Sequence, residues 1–224
     1  MKILSIDTAS KICSVALLED EVIVDEMNLD DGKTHSENLM PMVEEILSKN
    51  HVALSEIKLI SCCTGPGSFT GIRIGVASAK AMAEVNQIPL ASVTSLETLA
   101  RMDDSKKTKA VLIDARNNQV YCGIFDETWS LIQESMADDI AKIMEQLKTY
   151  NHLICLGDGA MLHKKLIEQE IPTAEFSAEN EQRAGLGGKI AYQKYLKKDL
   201  QNADTLVPLY LRKSQAERMK EKQK

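Results

Sequence analysis

Aromatic residues are scarce: one Trp, five Tyr and three Phe, 4% of 224 residues. The core must therefore be built from Ile, Leu, Val, Ala and Met, and a nucleic-acid surface of clustered stacking rings lacks its material. Long apolar runs are missing too. None approaches the ~20 residues that cross a bilayer, and the first apolar run meets Asp7 too early for a signal peptide. The expected location is the cytoplasm. Cysteine is present five times, at 13, 62, 63, 122 and 155, with no CxxC spacing. Reduced, buried thiols acting as small hydrophobes are expected, and no metal or redox site. The four histidines, His35, His51, His152 and His163, include no two that are three or four residues apart. HExxH and HxxxH metal motifs are thus absent, as is a Gly-x-Ser-x-Gly elbow, and Gly65–Thr70 lacks the Gly-Lys-Ser/Thr ending of a phosphate loop. Net charge is −6, which argues against a chain that grips nucleic acid by itself. Six Lys/Arg and two Glu lie between Arg212 and Lys224, so this tail carries +4 and the rest −10. The tail reads as a solvated terminal helix, with RNA phosphates as the alternative contact.

What is present repeats itself. Ile3–Asp7 is an apolar strand ending in an acid, followed by polar residues to Lys11 and by strands at Cys13–Leu18 and Glu21–Met27. Ala110–Asp114 is again an apolar strand ending in Asp, followed by strands at Val120–Phe125 and Ser130–Met136. The offset is 107 residues at Ile3/Ala110 and 109 at Met27/Met136. Helices at Thr34–Lys49 and Ala137–Tyr150 follow, and then buried strands at Ile57–Thr64 and His152–Leu156. Two such β-β-β-α-β-α units, the second reduced, are the plan of the actin-like ATPase (ASKHA) α/β fold. The expected division is 1–102 plus 205–224 against 103–204. In that fold the turns after the two first strands border nucleotide phosphates, which points to Asp7, Thr8 and Asp114. The plainer reading is that each Asp closes its turn by accepting backbone N–H groups. Gly157-Asp158-Gly159, between a buried strand and a helix running to about Gln169, is a third candidate, since a glycine turn at a helix start lets a ligand approach.

The segment Gly65-Pro66-Gly67-Ser68-Phe69-Thr70-Gly71-Ile72-Arg73-Ile74-Gly75 precedes a helix expected from Thr70 to Asn86. Gly71, Gly75, Ser78 and Ala79 share one face of it. Two helical glycines each cost about 1 kcal/mol relative to Ala, so this smooth face has a use, either on the chain's own sheet or against another subunit. On the preceding helix, Thr34 and Glu37 have capping-box spacing. Leu39, Val43, Ile46 and Leu47 form its apolar stripe, and Met40 and Met42 broaden that stripe toward an adaptable partner surface.

These pieces together resemble one family. Ile3-Leu4-Ser5-Ile6-Asp7-Thr8-Ala9-Ser10, His35-Ser36-Glu37-Asn38-Leu39-Met40-Pro41, the glycine–proline–glycine segment, Asp114-Ala115-Arg116, Gly157–Ala160 and Pro208–Arg212 resemble the TsaB (YeaZ) family, paralogous to TsaD. The resemblance covers nearly the whole chain. It implies a non-catalytic subunit that pairs with the catalytic subunit TsaD and with the ATPase TsaE. Together they place a threonylcarbamoyl group on adenosine-37, beside the anticodon, of tRNAs reading codons that begin with A. It implies tRNA contact through the complex, a homodimer when TsaD is absent, and a helical-bundle partner interface on His35–Ser48 and Thr70–Ala83. The residues implied there are His35, Ser36, Leu39, Met40, Met42, Val43, Gly71, Arg73, Gly75, Ser78, Ala79 and Met82. TsaD holds its metal through paired histidines, which this chain lacks. No cofactor is expected for the chain alone, with ATP or ADP bound only weakly or within the complex. The alternative is a stand-alone ATP-dependent small-molecule kinase of the same fold, which would bind Mg·ATP unaided.

Overall fold

In the computed structural model, which describes residues 1–212, the strands of the first half are β1 (Lys2–Asp7), β2 (Cys13–Glu19), β3 (Val22–Leu29), β4 (Leu59–Cys63) and β5 (Leu90–Val93). They lie in the order β3-β2-β1-β4-β5. The β1–β2 and β2–β3 pairs are antiparallel, and β1–β4 and β4–β5 are parallel. The second half has β6 (Thr108–Asp114), β7 (Gln119–Phe125), β8 (Leu131–Asp139), β9 (Leu153–Leu156) and the two-residue β10 (Glu175–Phe176), in the order β10-β9-β6-β7-β8. Read from the other edge this is the same sheet, with the same senses of pairing. The duplication expected from pattern is therefore a duplication of topology, and the fold is the actin-like α/β plan.

The central strands are apolar throughout because both faces of each sheet are covered. Leu4 and Ile6 join the core beneath α1 (His35–Lys49) and α2 (Phe69–Asn86), while Ile3 points to the opposite core beneath α7 (Ala184–Leu196). Period-two alternation sends the two sets apart. The close seating of α7 explains Gly185-Leu186-Gly187-Gly188, for which the sequence suggests no role. A Cβ at Gly188 would stand 2.3 Å from Leu18 Cδ1, and one at Gly185 would stand 2.5 Å from Ile23 Cδ1. Ser5 Oγ donates to the Ala184 carbonyl at 2.6 Å, and the Ala184 N–H donates to Ser14 Oγ at 2.8 Å.

Two helices lie across the sequence-based division of the chain. The short α3 (Ser95–Ala100), numbered with the first half, packs on β6 and β7 of the second sheet through Leu96 and Leu99. α7, numbered with the second half, lies on β1, β2, β4 and β5. The return to the first sheet thus begins at Ala184, not near 205. Apolar pattern fixes that a helix is amphipathic, but not which of two similar sheets receives it.

Other boundaries shift for local reasons. The helix expected from Ala137 begins at Ile140 as α4 (Ile140–Leu147), because Ala137, Asp138 and Asp139 still pair with β7. Asp139 then caps, accepting the Ala141 N–H at 3.0 Å. The helix expected after Gly157 breaks at His163 into α5 (Asp158–Leu162) and α6 (Lys164–Glu170). In α1, Glu37 accepts the Thr34 N–H at 3.1 Å, as the capping-box spacing predicts. All five cysteines are buried and free, and burial pushes Cys13 up to about 11 and Cys122 and Cys155 to about 12. No described helix is long and apolar enough to cross a membrane. Most of the basic tail, from residue 213 onward, lies outside the described residues.

Candidate functional site

At the carboxyl end of β1 the chain turns sharply, and three separate motif segments meet there. Asp7 is buried, and its carboxylate accepts the Ala9 N–H at 2.9 Å. Burial pushes its pKa above the ordinary 3.8, against the pull of the Ala9 N–H, the Cys63 thiol and His35. The Cys63 sulfur in turn lies 3.2 Å from Ser95 Oγ. Thr8 donates its hydroxyl to the Gly71 carbonyl at 2.7 Å. The Ser68 N–H reaches the Ala9 carbonyl at 2.7 Å. His35 Nε2, from the first turn of α1, donates to the Ser10 carbonyl at 2.9 Å.

The smooth face of α2 is consumed by this joint. A Cβ at Gly71 would fall 2.0 Å from the Thr8 carbonyl oxygen, and one at Gly75 would fall 2.4 Å from Thr8 Oγ1. Of the two uses left open for these glycines, the structure shows the intramolecular one. Ala79 and Met82 are buried on the same side, as are Leu39, Met42 and Val43 of α1. The partner surface expected from sequence therefore divides. Gly71, Gly75, Ala79, Met82, Leu39, Met42 and Val43 belong to the chain's own core, and half-buried His35 is turned to Ser10. Ser36, Met40 and Arg73 are exposed, and Ser78 is half-buried. The free face of α2 lies one row over, where Arg73, Ala77, Ala81 and Val85 are exposed, Val85 by 82%. Period 3.6 brings all four within reach of one side. Small residues occur on both rows, and only the sheet decides which is inward.

Phe69 and Tyr210 carry a second feature that sequence reasoning left unassigned. The Arg73 guanidinium sits 3.8 Å above the Phe69 ring, and its Nε donates to Tyr210 Oη at 2.9 Å. The two rings are 5.0 Å apart and partly exposed. Tyr210 arrives on a C-terminal strap pinned by buried Leu206, by the Leu209 N–H on the Thr64 carbonyl at 2.8 Å, and by Arg212 Nη1 on the Ala115 carbonyl at 2.6 Å. A ring 137 residues from its guanidinium leaves no signal in local spacing.

The second turn mirrors the first. Asp114 accepts the Arg116 N–H at 2.7 Å, two residues on, as Asp7 accepts Ala9. Both carboxylates thus close their turns through backbone N–H groups. Asp158 accepts the Asp114 N–H at 3.0 Å, and burial, with Asp114 nearby, raises its pKa. Gly157 and Gly159 serve close packing: a Cβ on either would stand within 3 Å of the β6 backbone at Leu112 and Ile113. The Gly157 N–H donates to Asn180 Oδ1 at 2.8 Å, a partner in a polar loop that no motif marks. Among the described residues no group of three or more His, Cys, Asp or Glu is placed to hold a metal ion.

Comparison with known proteins gives this joint its context. Residues 30–220 match the family model described as TsaD, tRNA N6-adenosine threonylcarbamoyltransferase. The chain is 35% identical to the Bacillus subtilis tRNA threonylcarbamoyladenosine biosynthesis protein TsaB, over 97% of this chain and 96% of the relative. It is 25% identical to the Haemophilus influenzae TsaB, over 93% of this chain and 81% of that one. A Pseudomonas aeruginosa crystal structure, described as an uncharacterized protein similar to peptidase YeaZ, superposes with a TM-score of 0.81 at 25% identity, covering 94% of this chain and 99% of that one. With a relative at 35% identity along nearly its whole length, the chain belongs to the TsaB (YeaZ) family.

Proposed function

We propose that this chain is a non-catalytic subunit in the biosynthesis of threonylcarbamoyladenosine on tRNA, and that it binds and activates a TsaD-type catalytic subunit, with TsaE joining them. The full-length match to TsaB proteins carries the reading. The structure supports it with a surface suited to the task. Once the inward rows of α1 and α2 are used, what remains is an adjacent pair of helices presenting Met40, Phe69, Arg73, Ala77, Ala81 and Val85 to solvent. Small side chains on an exposed row let another helix approach, and the aromatic–guanidinium cluster at its end is the type of group that anchors interfaces. In the absence of the catalytic subunit, the same face pairs two copies of this chain.

The test is threonylcarbamoylation of tRNA with TsaD, TsaE and threonylcarbamoyl-adenylate, with and without this chain, alongside capture of TsaD. Ala81→Trp places a bulky group on the exposed row. It is expected to abolish TsaD capture and to reduce modification at least tenfold, with the melting temperature unchanged. Modification that proceeds equally without the chain would overturn the reading, as would full activity of the variant. The kinase alternative is not favoured, because the relatives matched over the whole chain are TsaB proteins. Unaided binding of Mg·ATP would reopen it.

A further inference from the structure

At the opposite ends of both sheets from Asp7 and Asp114, the halves of the molecule face each other across an open cleft of about 470 Å³. It is lined by Glu21 from the β2–β3 turn, Arg101 after α3, Thr128 and Trp129 from the β7–β8 turn, Lys189 and Gln193 from α7, and Lys197 at the C-cap of α7. Lys189, Gln193 and the C-cap Lys197 recur every four positions, so they form one row spanning ~12 Å along the axis of α7. Arg101, Lys189 and Lys197 form no ion pair among the described residues. Lys194, on another face of the same helix, is by contrast paired with Glu97 at 3.0 Å. The one carboxylate of the lining, Glu21, accepts from the Gln193 amide and keeps its charge, so the three cations of the lining outnumber its anions by two. The Arg101 guanidinium lies 4.5 Å over the Trp129 ring, whose Nε1 donates to the Asp103 carbonyl at 3.0 Å. Lys109, held by the Ser105 and Lys107 carbonyls, approaches the same ring at 5.9 Å.

We infer that this cleft binds the phosphate backbone of an RNA strand. A local surplus of positive charge in an acidic protein attracts an anion at that place, whatever the net charge. The cleft is open, polar and exposed on its α7 side, unlike the enclosed apolar pockets that bury small ligands. Cations spread along ~12 Å suit successive phosphates better than one compact anion. Gln193 is bonded to Glu21, Thr128 to Asp126, and Arg101 lies over Trp129, so the contacts left for a strand are to its phosphates and the binding is independent of sequence. It involves neither the α1 and α2 surface nor a partner subunit, so it stands or falls apart from the proposed function.

Trp129 is the only tryptophan in the chain, so its emission reports on this cleft alone. The test titrates the full-length chain, without partners, with a single-stranded RNA oligonucleotide of mixed sequence. RNA is expected to change Trp129 emission, with a slope of log affinity against log salt of about −2 for three neutralised phosphates. Lys189→Gln with Lys197→Gln is expected to weaken binding at least about fivefold and to reduce that slope by about 1.4. Lys197→Gln alone gives half the change in slope, and Lys142→Gln on α4 gives none. The tail beyond Arg212 is common to all variants. Emission indifferent to RNA, or binding unchanged in the double variant, would overturn the proposal. An equal response to inorganic tripolyphosphate at matched phosphate concentration would also overturn it, by showing a free-anion site.

Discussion

Thr8 is held between two glycines of α2: its hydroxyl donates to the Gly71 carbonyl at 2.7 Å, and its Oγ1 occupies the space a Gly75 side chain would fill. This contact joins the turn after β1 to the glycine–proline–glycine segment and, through His35 on Ser10, to the start of α1. The glycine face whose use the sequence leaves open forms an internal joint. The outward surface is what this joint leaves uncovered.

Substitutions at the joint should follow the rigidity of what they meet. Gly71→Ala meets the Thr8 backbone carbonyl at 2.0 Å and should cost about 3 kcal/mol or more. Gly75→Ala meets a side-chain hydroxyl and should cost about 1–3 kcal/mol. Thr8→Ala removes that hydroxyl and leaves Cβ at 3.7 Å. The Thr8→Ala/Gly75→Ala double variant should therefore be more stable than the sum of the singles implies. Urea denaturation of the four proteins measures the coupling, and strict additivity would refute the contact.

Asp7 predicts a pH signature. Its folded pKa lies above 3.8 because burial favours the neutral form. The folded state therefore holds the proton more tightly than the unfolded chain, so the stabilisation is full below about pH 3.8. It is lost as pH rises through the folded pKa. Asp7→Asn has no such dependence. Its stability relative to the parent should increase as pH rises from about 4, then level off, in urea melts at stepped pH. A flat difference would mean the carboxylate is not desolvated.

The C-terminal strap should be anchored by Leu206 more than by its visible surface cluster. Leu206 is fully buried in the core that holds α1 and α2, so Leu206→Ala should cost about 2–5 kcal/mol. Tyr210→Phe removes one partly exposed hydrogen bond to Arg73 and should cost about 0.5–1.5 kcal/mol. Thermal melts that reversed this order would place the anchor in the cation–ring stack.

On α7, Gly188→Ala should be milder than Gly71→Ala, although its Cβ would meet Leu18 Cδ1 at 2.3 Å. The obstacle is the end of a side chain, and an interior helical Ala is favoured over Gly by about 1 kcal/mol. A net cost below about 2 kcal/mol is expected. A larger loss would show that Leu18 is locked by its own neighbours.

Much of this was legible in the sequence. The strands ending in Asp7 and Asp114, the turns after them, the start of α1 at Thr34 and the extent of α2 all follow from local pattern, because capping, turn closure and periodicity act over a few residues. The duplicated strand order also follows, since an antiparallel triplet continued by a helix and a parallel strand admits few arrangements. Other features do not follow. Ser68, Gly71 and Gly75 could face a partner as readily as Thr8. α3 and α7 could each have packed on either sheet, and nothing near Arg73 announces Tyr210. Chain pattern fixes which residues avoid water and where elements begin and end, because those energies are local. Tertiary structure alone decides which apolar or small face meets which neighbour, because that depends on steric fit between segments that local pattern does not relate, such as Thr8 with Gly71 and Arg73 with Tyr210.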